Sequence, residues 1–558
     1  MRVWAPHADH VELELATGER HALTKVDRHH HELSLELPAG TDYWLRLDGG
    51  DRRADPRSAH QPAGIAGPSR LVDHGAFEWT DGEWRGLAWP ATAIYELHVG
   101  TFTREGTFDA AISRLDHLVD LGVDTVELMP VAEFPGRRGW GYDGVHLWAP
   151  QSSYGGPAGM KRFVDGAHAR GLAVVLDVVY NHLGPSGNYL HEFGPYFTDR
   201  YSTPWGQAVN LDGAGSDGVR AHIIDNAVMW VRDFHLDGLR LDAVHAFLDT
   251  SATHILEELA AAVHAEGERL GRRVAVVAES DLNDPRLVRP VDAGGFGLDA
   301  AWSDDFHHAV HAALTGERDG YYSDFGSLSD IATAWSEGFV YAGRYSAHRD
   351  RRHGRRPEGV APWRFVVALQ NHDQVGNRAR GDRISHLVGL DRVRAGAALT
   401  LLGPAVPLIF QGEEWAASTP FPYFTDHDDP ELAEAVRTGR RAEFAAFGWT
   451  PEDIPDPQAE ETFHSAILNW DELEHPEHAD MLSWYRRLLR QRRELPGPDA
   501  SPPTVSVDDD AGHLILARGG LEIEVALGDA TAIHIQPQLA GDAAAPEAGD
   551  SRGGAGPA

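Results

Sequence analysis

The sequence predicts an α/β protein centred on a (β/α)8 (TIM) barrel, with an N-terminal β-sandwich before it and a small C-terminal β domain after it. From Ala91 onward, short apolar stretches typical of strands alternate with segments of helical periodicity. Eight strand candidates follow one another, which is the number and order of a closed barrel. They are residues 94–99, 123–129, 172–180, 238–244, 274–279, 299–304, 364–371 and 406–410. An open doubly wound sheet is the alternative, but no Gly-rich dinucleotide fingerprint supports it.

The region before the barrel, residues 1–88, is predicted to be the β-sandwich. Apolar and polar residues alternate at Val11–Leu15 and again at Leu33–Leu37, as they do in half-buried strands. The length of 558 residues is too great for one compact core, so a separate domain is expected here. The catalytic barrel is then assigned to residues 89–495, with an irregular insertion at about 183–218.

The chain after the barrel falls into a linker, a short β module and a tail. Proline and glycine dominate residues 496–503. Residues 503–540 are predicted to form the C-terminal β module, because apolar residues alternate with polar or small ones at Leu521–Leu527. Residues 541–558 are mostly Gly, Ala, Pro and Asp, and are predicted to be disordered.

Composition excludes several classes of function. Acidic residues exceed basic ones by 85 − 49 = 36, which argues against a role that needs a basic nucleic-acid footprint. The absence of cysteine excludes disulfides, thiolate metal sites and cysteine nucleophiles. No apolar run resembles a signal peptide or is long enough to span a membrane, so the sequence predicts a cytoplasmic enzyme without membrane or nucleic-acid partners.

The fourth strand candidate carries an arginine two residues before an aspartate. Arg240 and Asp242 lie on the same face, because strand side chains repeat every second residue. The guanidinium can then hold the carboxylate ionised and oriented, as a nucleophilic aspartate requires. A purely structural Arg/Asp pair is the alternative for this stretch taken alone.

The C-terminal ends of other strands add candidate catalytic side chains. These ends form the rim of the barrel where barrel enzymes place their active sites. The third strand leads to His182, the fifth to Glu279, and the seventh to His372 and Asp373. Paired carboxylates are the requirement of glycoside cleavage, and adjacent strands favour the retaining separation of about 5–5.5 Å. A glutamate buried beside an ionised aspartate is also expected to have a raised pKa.

A metal site is the competing interpretation of these strand ends. Asp177, His182, His372 and Asp373 are suitable ligand types, but they lie on strands separated around the barrel. The sequence therefore predicts no required metal and no cofactor.

Four stretches together resemble the signature regions of the α-amylase family of retaining glycosidases, in the family's order. They are Asp177–His182, Gly238–His245, Val277–Glu279 and Asn371–Asp373. The resemblance implies that Asp242 is the nucleophile, Glu279 the general acid/base and Asp373 a third carboxylate that binds sugar hydroxyls. It also implies that Arg240, His182 and His372 line the sugar subsite at the cut, with Tyr142 stacking on that sugar and Asp177 as structural support. Asn181 matches a calcium ligand of the family's secreted amylases, yet no acidic partners for it are evident in residues 183–218.

Two further stretches narrow the choice within the family. The opening Val3–Pro6 is similar to branching enzymes, debranching enzymes and trehalose-releasing hydrolases, and Phe193–Asp199 is similar to the last group. The resemblance implies cleavage of the α-1,4 bond next to the terminal trehalose of malto-oligosyltrehalose. It further implies action in sequence with a malto-oligosyltrehalose synthase. A 1,4-α-glucan branching enzyme and a non-catalytic α-glucan-binding protein are the alternatives, although all three acids are present.

Selectivity for the trehalose end must come from groups beyond the cut. We hypothesise that Trp205, in the insertion, provides an aromatic wall there and that His245 hydrogen-bonds the leaving sugars. The alternative for Trp205 is a residue packed beneath a long loop.

Overall fold

A computed structural model gives the fold and describes residues 1–90, 93–445, 450, 454–495, 503–528 and 531–537. Its centre is a closed barrel of eight parallel strands. Two N-terminal sheets precede this barrel along the chain. The first eight strands are β1 (Arg2–Trp4), β2 (Val11–Leu15), β3 (Arg20–Ala22), β4 (Thr24–Lys25), β5 (His30–Glu32), β6 (Asp42–Leu47), β7 (Arg52–Arg53) and β8 (Ser69–Arg70).

The N-terminal sheets are both antiparallel. One has the order β1-β5-β4, and the other has the order β3-β2-β6-β7 with β8 paired to β6. The predicted strand at Val11–Leu15 is confirmed as β2. The predicted strand at Leu33–Leu37 is wrong, because β5 ends at Glu32 and Leu35 is 41% exposed. The residues do alternate, but backbone pairing ends at Leu33, which bonds to Met1, and no strand in the described part of the chain pairs with the residues after it.

The barrel strands confirm all eight sequence predictions, and the open-sheet alternative is wrong. The strands of the central region are β9 (Ile94–Leu97), β10 (Thr125–Leu128), β11 (Ala132–Glu133), β12 (His146–Pro150), β13 (Ala173–Val178), β14 (Phe197–Thr203), β15 (Gly206–Val209), β16 (Gly238–Leu241), β17 (Ala275–Ala278), β18 (Ala300–Trp302), β19 (Tyr345–Ser346), β20 (Arg351–Arg352), β21 (Phe365–Ala368) and β22 (Val406–Phe410). The barrel order is β9-β10-β13-β16-β17-β18-β21-β22, and β22 pairs with β9 to close it. Every residue of these eight strands is buried, which explains their nearly continuous apolar sequences.

Helices surround the barrel and connect its strands. They are α1 (Val99–Phe102), α2 (Phe108–Ile112), α3 (Leu115–Leu121), α4 (Gly156–His168), α5 (Leu190–Phe193), α6 (Ser216–Phe234), α7 (Ile255–Leu270), α8 (Asp304–Thr315), α9 (Leu328–Glu337), α10 (His372–Gly376), α11 (Ile384–Leu387), α12 (Leu390–Leu401), α13 (Pro430–Ala445), α14 (Glu460–Ser465) and α15 (Pro476–Glu494). Local signals set their ends. Thr107 caps α2 by accepting a hydrogen bond from the Ala110 amide, and Gly122 ends α3 with a φ of 108°.

The insertion at residues 183–218 is more ordered than the sequence suggested. It contains α5 and the antiparallel hairpin β14–β15, and α6 begins at Ser216. The hairpin tip, at residues 204–205, lies at the barrel rim, where Trp205 stacks on the strand-end residue His182. This segment therefore contributes to the wall of the candidate site.

The C-terminal module is a four-stranded antiparallel sheet in sequential order. Its strands are β23 (Thr504–Asp508), β24 (His513–Arg518), β25 (Leu521–Leu527) and β26 (Thr531–Pro537). The alternation at Leu521–Leu527 is thus confirmed as a strand, whereas the predicted disorder of residues 541–558 lies outside the described residues. Throughout the described part of the chain, no helix combines the length and apolar character needed to cross a membrane.

Candidate active site

Two adjacent barrel strands bring the predicted nucleophile and acid to one level. The register pairs Leu241 of β16 with Ala278 of β17, so Asp242 and Glu279 are the next residues on each strand. The Glu279 amide donates a hydrogen bond to the Leu241 carbonyl at 2.9 Å, which extends the pairing to this level. Neighbouring strands lie about 4.8 Å apart. This spacing matches the separation of about 5–5.5 Å in retaining glycosidases better than the wider separation in inverting ones.

The guanidinium of Arg240 connects the carboxylates of the rim. Its Nη1 donates to both oxygens of Asp177, at 2.9 and 2.8 Å, and to Oδ1 of Asp242 at 2.6 Å. Its Nη2 lies 3.6 Å from Oε2 of Glu279. The side chain is buried and packs over the Trp302 ring, with the guanidinium carbon 4.5 Å from the ring centroid. One cation therefore binds Asp177 and Asp242 and lies beside Glu279. Asp177 in turn holds Arg240, a contact that fits the structural support implied by the resemblance.

Asp242 is held on its other side by an asparagine. The side-chain amide of Asn181 donates to Oδ2 of Asp242 at 2.7 Å and to its backbone carbonyl at 2.9 Å. Together with Arg240, this amide fixes both carboxylate oxygens. The sequence singled out Asn181 only as a possible calcium ligand, whereas the structure gives it the role of orienting Asp242.

Glu279 has the environment of a proton donor. Burial raises its pKa to about 7, and the nearby Asp242 charge adds to this shift while Arg240 opposes it. Its Oε2 accepts a hydrogen bond from the Ala243 amide at 2.6 Å. Ala243 has a φ of 43°, a left-handed conformation that is uncommon for alanine and occurs here just after β16, where its amide faces Glu279.

The seventh strand contributes Asp373 and His372 from the start of α10. Asp373 is exposed to the cavity and accepts a hydrogen bond from Asn377. His372 is buried, with Nε2 2.7 Å from the Tyr142 hydroxyl and Nδ1 2.5 Å from Oε1 of Glu96. The Tyr142 ring stacks on the imidazole with 5.2 Å between centroids. The structure thus brings these predicted residues together.

The insertion hairpin supplies the most exposed wall of the site. Trp205 is 46% exposed and stacks on His182, with centroids 5.0 Å apart and planes inclined by 6°. It is therefore not packed beneath the loop. His182 places Nε2 2.9 Å from the Tyr142 carbonyl, and burial lowers its pKa. His245 also lines the cavity, and its buried Nδ1 has no hydrogen-bond partner among the described residues.

All nine predicted site residues line one open cavity of about 540 Å³. Nine further residues line the cavity for which the sequence predicted no site role: Trp140, Asp143, Ala243, Asp281, Asp304, Asn377, Tyr423, Val436 and Arg440. Asp304 begins α8, just after the sixth barrel strand, and burial raises its pKa well above the ordinary value. Because Asp304 comes just after the end of a barrel strand, the sequence could have indicated it as a site residue. Val436 and Arg440 come from α13, far along the chain, and no local pattern marks them.

Among the described residues, no group of three His, Asp or Glu side chains has an arrangement that could hold a metal ion. The four side chains of the metal alternative take part in hydrogen bonds with other residues of the rim. The predicted absence of a required metal stays a prediction.

Known proteins of similar sequence and structure share the barrel architecture described above. The family model for the alpha amylase catalytic domain matches residues 74–202. A malto-oligosyltrehalose trehalohydrolase from Arthrobacter ramosus is 52% identical over 94% of this chain and 92% of its own length. A protein of the same name from Rhizobium sp. (strain M-11) is 48% identical, over 94% of this chain and 90% of its own. A crystal structure titled as a putative alpha amylase from Salmonella typhimurium is 40% identical with a TM-score of 0.89, covering 97% of this chain and 93% of that one.

The barrel, its rim carboxylates and these matches define a glycosidase of the α-amylase family. Within it, the chain belongs to the malto-oligosyltrehalose trehalohydrolases, as its relatives at 52% and 48% identity establish. A 1,4-alpha-glucan branching enzyme from Vibrio parahaemolyticus is only 31% identical, over 55% of this chain and 46% of its own length. The alternative of a branching enzyme therefore lacks comparable support.

Proposed function

We propose that this chain hydrolyses the α-1,4-glucosidic bond next to the terminal trehalose of malto-oligosyltrehalose and releases trehalose and a maltodextrin. The observation that carries the proposal is the pair of carboxyl groups on β16 and β17. Asp242 is oriented by two donors, while the pKa of Glu279 is raised to about 7. An oriented nucleophile beside a group that can hold a proton is the arrangement that retaining cleavage requires.

The proposed reaction has two steps. In the first step, Asp242 forms a bond to the anomeric carbon while the bond to the leaving oxygen breaks, and Glu279 gives that oxygen its proton. Trehalose then departs, and the maltodextrin remains attached to Asp242 as an ester. In the second step, Glu279 takes a proton from water, whose oxygen attacks the anomeric carbon and frees Asp242.

The other residues of the cavity bind and orient the sugar in this proposal. Asp373 is exposed to the cavity and can accept hydrogen bonds from sugar hydroxyls, and Tyr142 offers an aromatic face. His182 and His372 line the same wall. Trp205 extends this wall at the hairpin tip and, with His245, is proposed to contact the leaving disaccharide.

Product analysis on two matched substrates tests the proposed substrate. Maltotriosyltrehalose and maltopentaose have the same number of sugars but differ beyond the cut. We expect faster cleavage of the trehalose-capped chain, with trehalose as the disaccharide product. Faster hydrolysis of maltopentaose would contradict the proposal, and transfer to a sugar 6-hydroxyl would indicate the branching reaction. Cytoplasmic location and cooperation with a malto-oligosyltrehalose synthase stay predictions.

A further inference from the structure

Beneath the catalytic cavity lies a buried ion-pair partner that the proposed reaction does not use directly. Glu96, on the first barrel strand, is 1% exposed, and His372 above it is 3% exposed. Oε1 of Glu96 lies 2.5 Å from Nδ1 of His372, and Oε2 accepts the His372 backbone N–H at 2.9 Å. Both oxygens of the carboxylate are therefore directed at one residue of the rim.

The hydrogen bonds on the Nε2 side of the His372 ring, opposite Glu96, determine which of its nitrogens carry hydrogens. The Tyr142 hydroxyl has a single hydrogen and lies 2.6 Å from Oδ2 of Asp177 and 2.7 Å from Nε2 of His372. Burial raises the pKa of Asp177, but both its oxygens accept hydrogen bonds from the permanently charged Arg240. The oxygen of Asp177 that faces Tyr142 is therefore an acceptor. The Tyr142 hydroxyl therefore donates its single hydrogen to Asp177. The hydrogen in the contact between Tyr142 and His372 must then be carried by Nε2 of His372.

Other charges face His372 from the neighbouring elements. Glu96 on β9 and Asp373 on α10 favour the charged imidazole, whereas burial and Arg240 oppose it; the balance raises the pKa of His372. Tyr142 and Asp177 complete the surroundings on the opposite side. Glu127, paired with Glu96 in the barrel register, is buried without a hydrogen-bond partner among the described residues. Burial raises the pKa of Glu127, with the Glu96 charge adding to the shift, which favours the neutral form.

We propose that Glu96 is a positioning residue that keeps His372 doubly protonated, so that this histidine holds the Tyr142 hydroxyl with a fixed N–H donor and places a positive charge beside the sugar at the cut. A neutral imidazole could equally accept a hydrogen bond at one nitrogen, whereas the imidazolium can only donate. Glu96 thus acts through His372, and its effect on activity rests on the proposed function.

The direct test is the protonation state of His372, which is measured independently of activity. Imidazole ¹⁵N spectra of the full chain, assigned by comparison with His372→Gln, should show both ring nitrogens protonated at pH 7. In Glu96→Gln the amide can donate to Nδ1, so we expect that nitrogen to lose its proton and the pKa of His372 to fall. A single protonated nitrogen in the natural protein overturns the proposal, and so does a Glu96→Gln spectrum identical to it.

Activity provides the second readout, with a matched control in the same layer of the barrel. We expect Glu96→Gln to lower kcat/KM on maltotriosyltrehalose by about tenfold or more at pH 7, because a charge-assisted hydrogen bond is lost. The deficit should shrink at lower pH, where His372 regains its proton, and Glu96→Asp should recover part of the activity. Glu127→Gln makes the same chemical change one strand away and should stay close to the natural protein.

The outcomes separate this proposal from the proposed function. If the natural protein cleaves maltopentaose preferentially but His372 is doubly protonated, the positioning role stands and the assigned substrate fails. If Glu127→Gln and Glu96→Gln lose activity equally at every pH, the effect is one of barrel packing, and the proposal is overturned. Thermal unfolding of each variant shows whether it is folded, and Glu96→Asp keeps the test valid if Glu96→Gln is not.

Discussion

At the scale of single residues, a few donors decide what each carboxyl group can do. Asp242 and Asp177 share one nitrogen of Arg240, and Asn181 binds the remaining oxygen of Asp242. Glu279 instead lies 3.6 Å from the same guanidinium and receives one backbone N–H. Asp242, the proposed nucleophile, is therefore bound by charge-assisted hydrogen bonds, whereas Glu279, the proposed acid, keeps an environment in which a proton is favoured.

The first prediction concerns Asp242. Asp242→Asn should abolish turnover while leaving the fold intact, because an amide cannot form the glycosyl ester. The change is nearly isosteric, and it costs one of the hydrogen bonds that Asp242 accepts from Asn181 and Arg240. Initial rates on maltotriosyltrehalose and a thermal unfolding scan are the measurements. Substantial activity in a folded, sequence-verified Asp242→Asn protein would disprove the nucleophile assignment.

A second prediction concerns the proton on Glu279. Because burial raises the pKa of Glu279 to about 7, the acid form is present below that pH and is lost above it. The value of kcat/KM should therefore fall as the pH rises through about 7. Glu279→Gln should stop cleavage of the natural substrate but spare part of the first step with an activated leaving group, which needs little protonation. Equal loss with both substrates would assign Glu279 another role.

At the scale of elements, the barrel rim collects residues from every part of the sequence. The β-strand ends carried signals that could be found in the sequence. Glu279 directly follows an apolar run, Asp373 comes shortly after another, and Arg240 and Asp242 alternate with leucines in the stretch that resembles a family signature. Glu96 lies inside such a run, between Tyr95 and Leu97, and has no local feature to distinguish it. Its partner His372 is 276 residues away, so only closure of the barrel between β22 and β9 reveals the pair.

The insertion shows a different limit of sequence analysis. The resemblance of Phe193–Asp199 to trehalose-releasing hydrolases predicted its importance, but not the hairpin β14–β15 that places Trp205 on the rim. Half-exposed strands with few apolar residues give a weak pattern, since they bury little surface. The predicted strand at Leu33–Leu37 is wrong for a different reason. Its residues alternate as in a strand, but no strand in the described part of the chain pairs with the segment beyond Leu33.

A third prediction concerns this hairpin. Trp205→Ala should remove the exposed indole face and reduce the preference for maltotriosyltrehalose over maltopentaose by about 1–3 kcal/mol, if the indole contacts the leaving disaccharide. Trp363→Ala is a suitable control, because this tryptophan lies on the short helix before β21 and does not line the cavity. The two ratios of kcat/KM are the measurement. An unchanged preference in Trp205→Ala would leave the stack on His182 as a structural contact only.

At the scale of the whole molecule, one buried network joins the segment after the N-terminal sheets to the base of the barrel. His168 of α4 lies between Asp81 and Asp237, with 2.9 Å from each ring nitrogen to a carboxylate. Asp237 also accepts the Trp84 indole N–H at 2.7 Å, and Asp81 lies 3.0 Å from Nη2 of Arg272. Burial opposes a charge on His168, but the two carboxylates outweigh it and raise its pKa.

The last prediction concerns this network. Asp81→Asn should lower the free energy of unfolding by about 3–5 kcal/mol, because it leaves the buried cations His168 and Arg272 without one counter-charge. Asp109→Asn is the matched control. It removes the partner of Arg162 in an exposed pair and should cost only about 0–1 kcal/mol. Denaturant and thermal unfolding at pH 7 measure both changes.

The pH dependence of stability gives the same network a second, independent test. Burial opposes the charge on Asp81, but hydrogen bonds to His168 and His235, together with the nearby Arg272, hold the pKa of Asp81 below its ordinary value of 3.8. Its contribution to stability is therefore complete above about pH 4 and lost as the pH falls further. His168 has the opposite sign: its contribution is complete below its ordinary pKa of 6.5 and lost as the pH rises through the raised value. The free energy of unfolding of the natural protein should thus fall both at acidic pH, where Asp81 gains a proton, and at higher pH, where His168 loses one. In Asp81→Asn both of these pH dependences should be weaker. If Asp81→Asn and Asp109→Asn unfold alike at every pH, the network has no measurable part in joining the N-terminal region to the barrel.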